Sequence, residues 1–390
     1  MVNEMESTGR LLIAGDLFPN EANVSLFSNG DIVSLFGDDI IALFNRADYS
    51  VCNLEGAITD KPGKCVKTGP VKTAPASVVK AYKELGISCC LLANNHVTDG
   101  GNGGLTDTVA CLEAAGIEHI GAGKDSKSIR RALVKEICGL SFGIYNVSET
   151  MYNKPTESTA GVWLYDESLV REDILDLRQR CDYLIVLYHG GIEKFPYPSP
   201  ELRQRFHRMA DWGADLVVSQ HTHCLGCEEN HNGSLLIYGQ GDFLLKSFYP
   251  GITDSGMLLE LVVEAGKVAV VKHRIRCEGN RFARLDADQG FSDYLDRSSK
   301  LGDTAFLTEQ LKAFCADELV LYLSAYRSPS RFRRWQRGHF PESYKKWLFN
   351  SAFKKRELLF ALHTLRSEQN RETAVVGLEW LLGLSQDYYK

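Results

Sequence analysis

The sequence predicts a layered α/β sandwich. Three observations predict it: short, almost continuously apolar strands, helical segments alternating with them, and polar side chains gathered where the strands end. Apolar runs at 11–15, 49–53, 87–93, 183–188 and 216–219 are bounded by polar or glycine-containing turns, as expected of strands covered on both faces. Helical periodicity lies between them, near 31–44, 76–85, 105–115, 167–179 and 200–212. Strand and helix in alternation argue for helices packed on sheets. Two more strands, 133–137 and 141–147, meet at a tight Cys138-Gly139 turn. After His223 the pattern becomes a run of strands at 234–238, 257–264 and 267–274, the last two joined through Ala265-Gly266. From Asp286 the remainder reads as mostly helical, which divides the chain into an α/β domain, 1–285, and a C-terminal region, 286–390.

The chain has 390 residues, 44% hydrophobic and 24% charged, ordinary values for a globular protein able to bury a large core. A net charge of −6 argues against a nucleic-acid binder overall. No run approaches the ~20 apolar residues of a membrane span. The start carries Glu4 and Glu6, and its apolar run is too short for a signal core. Eleven scattered cysteines, an odd number, suit a reducing compartment. The expected location is the cytoplasm, with the inner membrane face as a peripheral option.

Five strand ends finish in polar clusters. They carry Asp16; Glu55; Asn94, Asn95 and His96; His189; and His221 with His223. Ligands of α/β sheets bind outside the carboxyl ends of strands, so these groups should converge on one edge. Carboxylate oxygen and neutral imidazole nitrogen suit divalent Mn, Fe or Zn. Each piece alone has an ordinary reading, as a turn aspartate or a core histidine. It is the five together, in this register, that point to a metal site.

These motifs give the chain a resemblance to the capsule-synthesis CapA (poly-γ-glutamate capsule) family, a branch of the calcineurin-like metallophosphoesterase superfamily. It covers about residues 11–276. Its most specific pieces are Asn53-Leu54-Glu55-Gly56, Ala93-Asn94-Asn95-His96 with Asp99-Gly100, His189-Gly190-Gly191-Ile192-Glu193, His221-Thr222-His223 and Gly239-Gln240-Gly241-Asp242-Phe243. The resemblance implies a four-layer αββα sandwich with two divalent metal ions. One ion would take Asp16, Glu55 and His223; the other would take Asn95, His189 and His221, with Glu55 bridging. His96 would stabilise or protonate the leaving oxygen without binding metal. Phe18 stands where the superfamily commonly has a metal-binding histidine, so the first ion is expected to be weaker or more hydrated. Asp242 stands where the branch often has Asn. It reads as a partner behind a ligand histidine or as a turn residue, with the turn slightly favoured.

The implied function is a metal-dependent hydrolase acting on a phosphoester of an anionic small molecule or polymer in capsule or exopolymer biosynthesis. Two alternatives stay open: amide hydrolysis or handling of a γ-glutamyl polymer, and a non-catalytic assembly scaffold. Glu193 reads equally as a surface residue or a contact to ligand or substrate. Lys67 and Lys72 read as solvated loop charges before they read as anchors for an anionic substrate. Cys224 and Cys227 form Cys-x-x-Cys but lack a second pair at zinc spacing, so they read as ordinary thiols. Segment 327–356 carries ten basic residues against one acidic, with interleaved aromatics including Trp335 and Trp347. It reads as helices packed on the domain or as a contact to an anionic membrane or polymer surface. Nucleic acid ranks last, since no binding motif accompanies the charge.

Overall fold

The computed structural model describes residues 8–63, 70–123, 126–149, 161–246 and 254–327. Two large sheets dominate. The first orders strands Phe282–Leu285, Lys267–Glu278, Ser255–Glu264, Gly9–Leu17, Tyr49–Leu54, Cys89–Leu91 and Glu118–Ile120, with Asp242–Leu244 also pairing Gly9–Leu17. The second orders Glu228–His231, Ser234–Ile237, Leu216–Gln220, Tyr183–His189, Leu140–Ser148 and Leu133–Ile137.

Strand alternation decides which face meets what. Leu11, Ile13, Val51 and Leu91 of the first sheet pack with Ile144, Ile185, Leu187 and Val218 of the second, so the sheets lie face to face. The alternate residues Leu12, Ala14 and Cys52 pack instead with helices Asp38–Asn45, Val79–Leu85 and Gly101–Ala115. Helices Glu167–Arg178 and Pro200–Asp211 contact strands of the second sheet. The result is the αββα sandwich. Local chemistry supports the helix starts: Asp166 accepts from the Ser168 and Leu169 amides, and Ser199 accepts from Leu202 N with Pro200 opening the first turn.

The two expected hairpins form with left-handed pairs at their tips, Cys138-Gly139 (φ 48° and 77°) and Ala265-Gly266 (φ 49° and 71°). The single helix expected at 31–44 is instead two, Ile32–Leu35 and Asp38–Asn45, with a further helix, Val24–Asn29, before them. Phe36 breaks it by adopting an extended backbone, bridging to Ala283 and stacking on Phe243 at 5.0 Å. The compact unit runs to Leu307, past the boundary placed at 285. Helix Ser292–Ser299 accounts for part of the difference, since Arg297 donates to the carbonyls of Leu225 and Gly226. Of the second unit, which begins at Thr308, only helix residues to Arg327 are described. The basic segment 327–356 therefore lies outside the described residues beyond Arg327. No helix among the described residues is long and apolar enough to cross a membrane.

Candidate metal centre

The site begins at an irregularity in the first strand. Ala14 pairs with Cys52 and Asp16 with Asn53, leaving Gly15 as an extra residue. A β-bulge of this kind re-aims the next side chain. Without it Asp16 would share the helix-facing side of Ala14; with it Asp16 lies opposite Asn53, on the side of Val51 that faces the second sheet. Only glycine fits the bulge, because a Cβ on residue 15 would stand 2.3 Å from the Gly241 carbonyl oxygen. Asn53 Nδ2 donates to Asp16 Oδ1 at 2.7 Å and approaches His189 Nδ1 at 3.2 Å. Asn94 Nδ2 donates to Asn53 Oδ1 at 3.0 Å, while its own oxygen accepts from the His96 and Val97 amides. Asn94 is thus a buried brace, two contacts from Asp16.

Imidazoles arrive from the second sheet. His189 follows Ile185 and Leu187 on the sheet-facing side of its strand and brings Nε2 to 3.0 Å from Asn95 Oδ1. His221 lies just past its strand, where plain alternation would turn it away. Positive φ values of 89° at His221 and 53° at His223 reorient both rings. Such angles are costly for residues with a Cβ and concentrate at functional sites. The His189 and His221 ring centroids are 4.8 Å apart, and those of His221 and His223 are 5.8 Å apart. His223 Nδ1 lies 2.8 Å from Asp242 Oδ1 and 3.3 Å from Asp16 Oδ2, and its Nε2 lies 3.7 Å from Glu55 Oε1. His96 Nδ1 is held by Asp99 Oδ2 at 2.7 Å, and its Nε2 also lies 3.7 Å from Glu55 Oε1.

The six expected ligands Asp16, Glu55, Asn95, His189, His221 and His223 are thereby linked through short contacts, with His96 beside them. Asp242 is not a turn residue. It opens strand Asp242–Leu244, is buried beside Asp16 in parallel register and bonds His223. Glu193 is half-exposed, with Oε1 3.9 Å from His221 Nε2. Lys72 is not a solvated loop charge, since its ammonium lies 2.9 Å from Glu55 Oε1 and its side chain is only 13% exposed. Lys67 lies outside the described residues. Cys224 and Cys227 are buried free thiols whose pKa burial pushes up to about 11 and about 12, away from reactive thiolate chemistry. Sequence reasoning gave no role to Asn53 or Asp99, and for Lys72 it ranked a solvated loop charge ahead of an anchor for an anionic substrate. Two-residue spacing from Glu55 was a usable signal for Asn53. Three-residue spacing from His96 was one for Asp99.

Three carboxylates and the imidazoles between them set the electrostatics of the site. Asp16, Glu55 and Asp242 are all buried around His223. Burial opposes charge on Asp16, but His223 and Asn53 hold its carboxyl below the usual range. Glu55 is also opposed by burial and is held down to about 2 chiefly by Lys72 and His223. Asp242 is pushed up to about 6, first by burial, against the pull of His223 and with the added charge of Asp16 and Glu55. Burial and the neighbouring His221 keep His189 well below its ordinary value, so it stays neutral and able to ligate. Neither Glu55 oxygen makes a hydrogen bond, nor does buried His221 Nδ1. A buried carboxylate without hydrogen bonds is costly unless a cation completes it. Glu55, His221 and His223 offer ligand atoms within 4.8 Å of one another, as do Asp16, His223 and Asp242. The donor chemistry fits a divalent metal ion.

The family model for the bacterial capsule synthesis protein PGA_cap matches residues 10–247, the span that carries every one of these groups. The chain belongs to that family. It is 24% identical over 242 residues to a capsule biosynthesis protein CapA of Bacillus anthracis, covering 58% of this chain and 59% of the relative. It is 27% identical over 222 residues to a PGA biosynthesis protein CapA of Bacillus subtilis, covering 55% and 58%. A Mycobacterium tuberculosis protein named as a polyglutamine synthesis accessory protein is 29% identical over 232 residues, covering 53% and 58%. The chain thus spans a little over half the length of these curated relatives.

Proposed function

We propose that the chain is a metal-dependent hydrolase with a dinuclear centre, acting on a phosphoester in capsule or exopolymer biosynthesis. The observation that carries this reading is Glu55, a buried carboxylate with no hydrogen bond, ringed by nitrogen and oxygen donors from both sheets. Asp16, Glu55 and His223 would hold one ion. Asn95, His189 and His221 would hold the other, with Glu55 between them. Manganese, iron or zinc suits this mixed set. When bound, such ions supply Lewis acidity and a water activated near neutral pH. The protein's own contribution is orientation and a proton. Asp99 engages His96 Nδ1, which leaves Nε2 as the ring atom facing Glu55 and able to hand a proton to a leaving oxygen. Asp242 fixes the ring of His223 from behind.

A second reading, in which the same centre acts on a γ-glutamyl amide, goes with the polymer named in the relatives' names, PGA biosynthesis and polyglutamine synthesis. The two readings separate in one assay, manganese-loaded protein offered phosphoesters and γ-glutamyl peptides. Phosphoester turnover that His96→Ala abolishes supports the first reading. Turnover of amides alone supports the second. A metal-loaded protein that turns over neither would instead support an assembly scaffold.

A further inference from the structure

Resting on the dinuclear reading, we infer that Lys72 is the anchor for an oxyanion of the substrate, placed beside the metal centre and held by Glu55 until the ions bind. Its main chain is fixed on both sides. Lys72 N donates to Asp99 Oδ2 at 2.7 Å, and its carbonyl accepts from Ala57 N at 3.0 Å. The next residues, Thr73–Ala74, pair with Ala57–Ile58 just beyond Glu55. The Asp99 oxygen that pins this amide is the one that holds His96 Nδ1, so the lysine root and the proposed proton donor share one support.

The ammonium head is placed differently. Among the described residues its ion-pair partner is Glu55, at 2.9 Å from Oε1, without hydrogen-bond alignment. Metal ions and this ammonium therefore compete for the same carboxylate. Dications held by Glu55 would take up its carboxylate and repel the ammonium, while the main chain of Lys72 stays pinned. A four-carbon stem lets the head swing aside but keeps it at the site. A displaced point charge there meets its need with an oxygen of a phosphate or carboxylate bound next to the metals. Lys72 thus serves two anions in turn. A permanent Glu55–Lys72 salt bridge would instead hinder metal uptake.

The test compares wild type with Lys72→Met and Lys72→Arg after chelation and manganese loading. Elemental analysis gives metal content, and calorimetry gives affinity for inorganic phosphate and, separately, for glutarate. Lys72→Met is expected to keep its manganese and to weaken the recognised anion by about ten- to a hundredfold, the range for one charge-assisted hydrogen bond. Lys72→Arg should restore most of that affinity. The anion that weakens tells whether a phosphate or a carboxylate is held. Lys72→Gln repeats the comparison if the Met variant does not fold. Unchanged binding of both anions with manganese retained overturns the inference alone. Loss of manganese in the variants overturns it in favour of a purely structural lysine. Wild type that takes up no manganese fails the dinuclear reading and takes this inference with it.

Discussion

Two buried glutamates of the first sheet, Glu260 and Glu55, carry the same charge in opposite surroundings. Glu260 accepts from Arg46 through both oxygens, at 3.0 and 2.8 Å, and from Arg10 and His273 at 2.8 Å each. Every lone-pair direction has a donor, and its carboxyl is held down to about 2 against burial, chiefly by Arg46 and His273. Glu55 is held equally low, yet it makes no hydrogen bond. The first arrangement is complete as it stands and braces strands Gly9–Leu17, Ser255–Glu264 and Lys267–Glu278. The second spends stability on a charge whose natural complement is a metal ion. Both carboxyls are depressed, so acidity does not separate them; what sets Glu55 apart is a single ammonium, Lys72 at 2.9 Å, in place of four aligned donors, among side chains that can bind a cation.

Substitution should separate the two. The largest effect is expected at the site. Glu55→Gln should weaken manganese binding by more than about a hundredfold, beyond the usual cost of losing a ligand's outer partner. Retained manganese in that variant, read by elemental analysis, would contradict the bridging role. Next comes His96→Ala, which should keep the metals and lower turnover by roughly 10²- to 10⁴-fold. Loss of metal there would make His96 a ligand.

Gly15→Ala probes the bulge that aims Asp16. Forcing a Cβ against the Gly241 carbonyl should destabilise the fold by about 1–3 kcal/mol, seen in urea denaturation, and loosen metal binding as well. A variant as stable as wild type would mean that the bulge tolerates a side chain. The most pH-dependent effect belongs to Glu260→Gln, which should cost about 1.5–3 kcal/mol at neutral pH with metal uptake unchanged. Because the folded carboxyl titrates near 2 and the unfolded one near 4.5, the stabilisation is complete above about pH 4.5. It fades as pH falls toward 2, so variant and wild type should converge on acidification. A constant gap across that window would refute the assignment.

Much of this was legible in the sequence. The strand-end positions of Asp16, Glu55, Asn95 and His189 follow from the apolar runs that precede them, and the Cys138-Gly139 and Ala265-Gly266 turns follow from their residue types. What escaped depends on backbone irregularity or tertiary contact. The Gly15 bulge shifts register, and its one local signal, a glycine within the strand, does not say which way Asp16 will turn. The left-handed backbone at His221 and His223 breaks the alternation that a strand reading assumes. Asp242 looked like part of a glycine turn because its three-residue strand is too short to show a period, and only pairing with Asp16 reveals its role. Lys72 lies 17 residues after Glu55 in the sequence, so their contact is visible only once the fold brings them together.

The central claim is that donors from both sheets grip a pair of cations around Glu55. Manganese titration of chelator-treated protein, followed calorimetrically and checked by elemental analysis, tests it most directly. The account predicts two ions per chain in wild type, the weaker lost first on dilution, and in His189→Ala the loss of the ion assigned to Asn95, His189 and His221. Wild type that binds no manganese, iron or zinc, or a His189→Ala variant that binds as well as wild type, would contradict it.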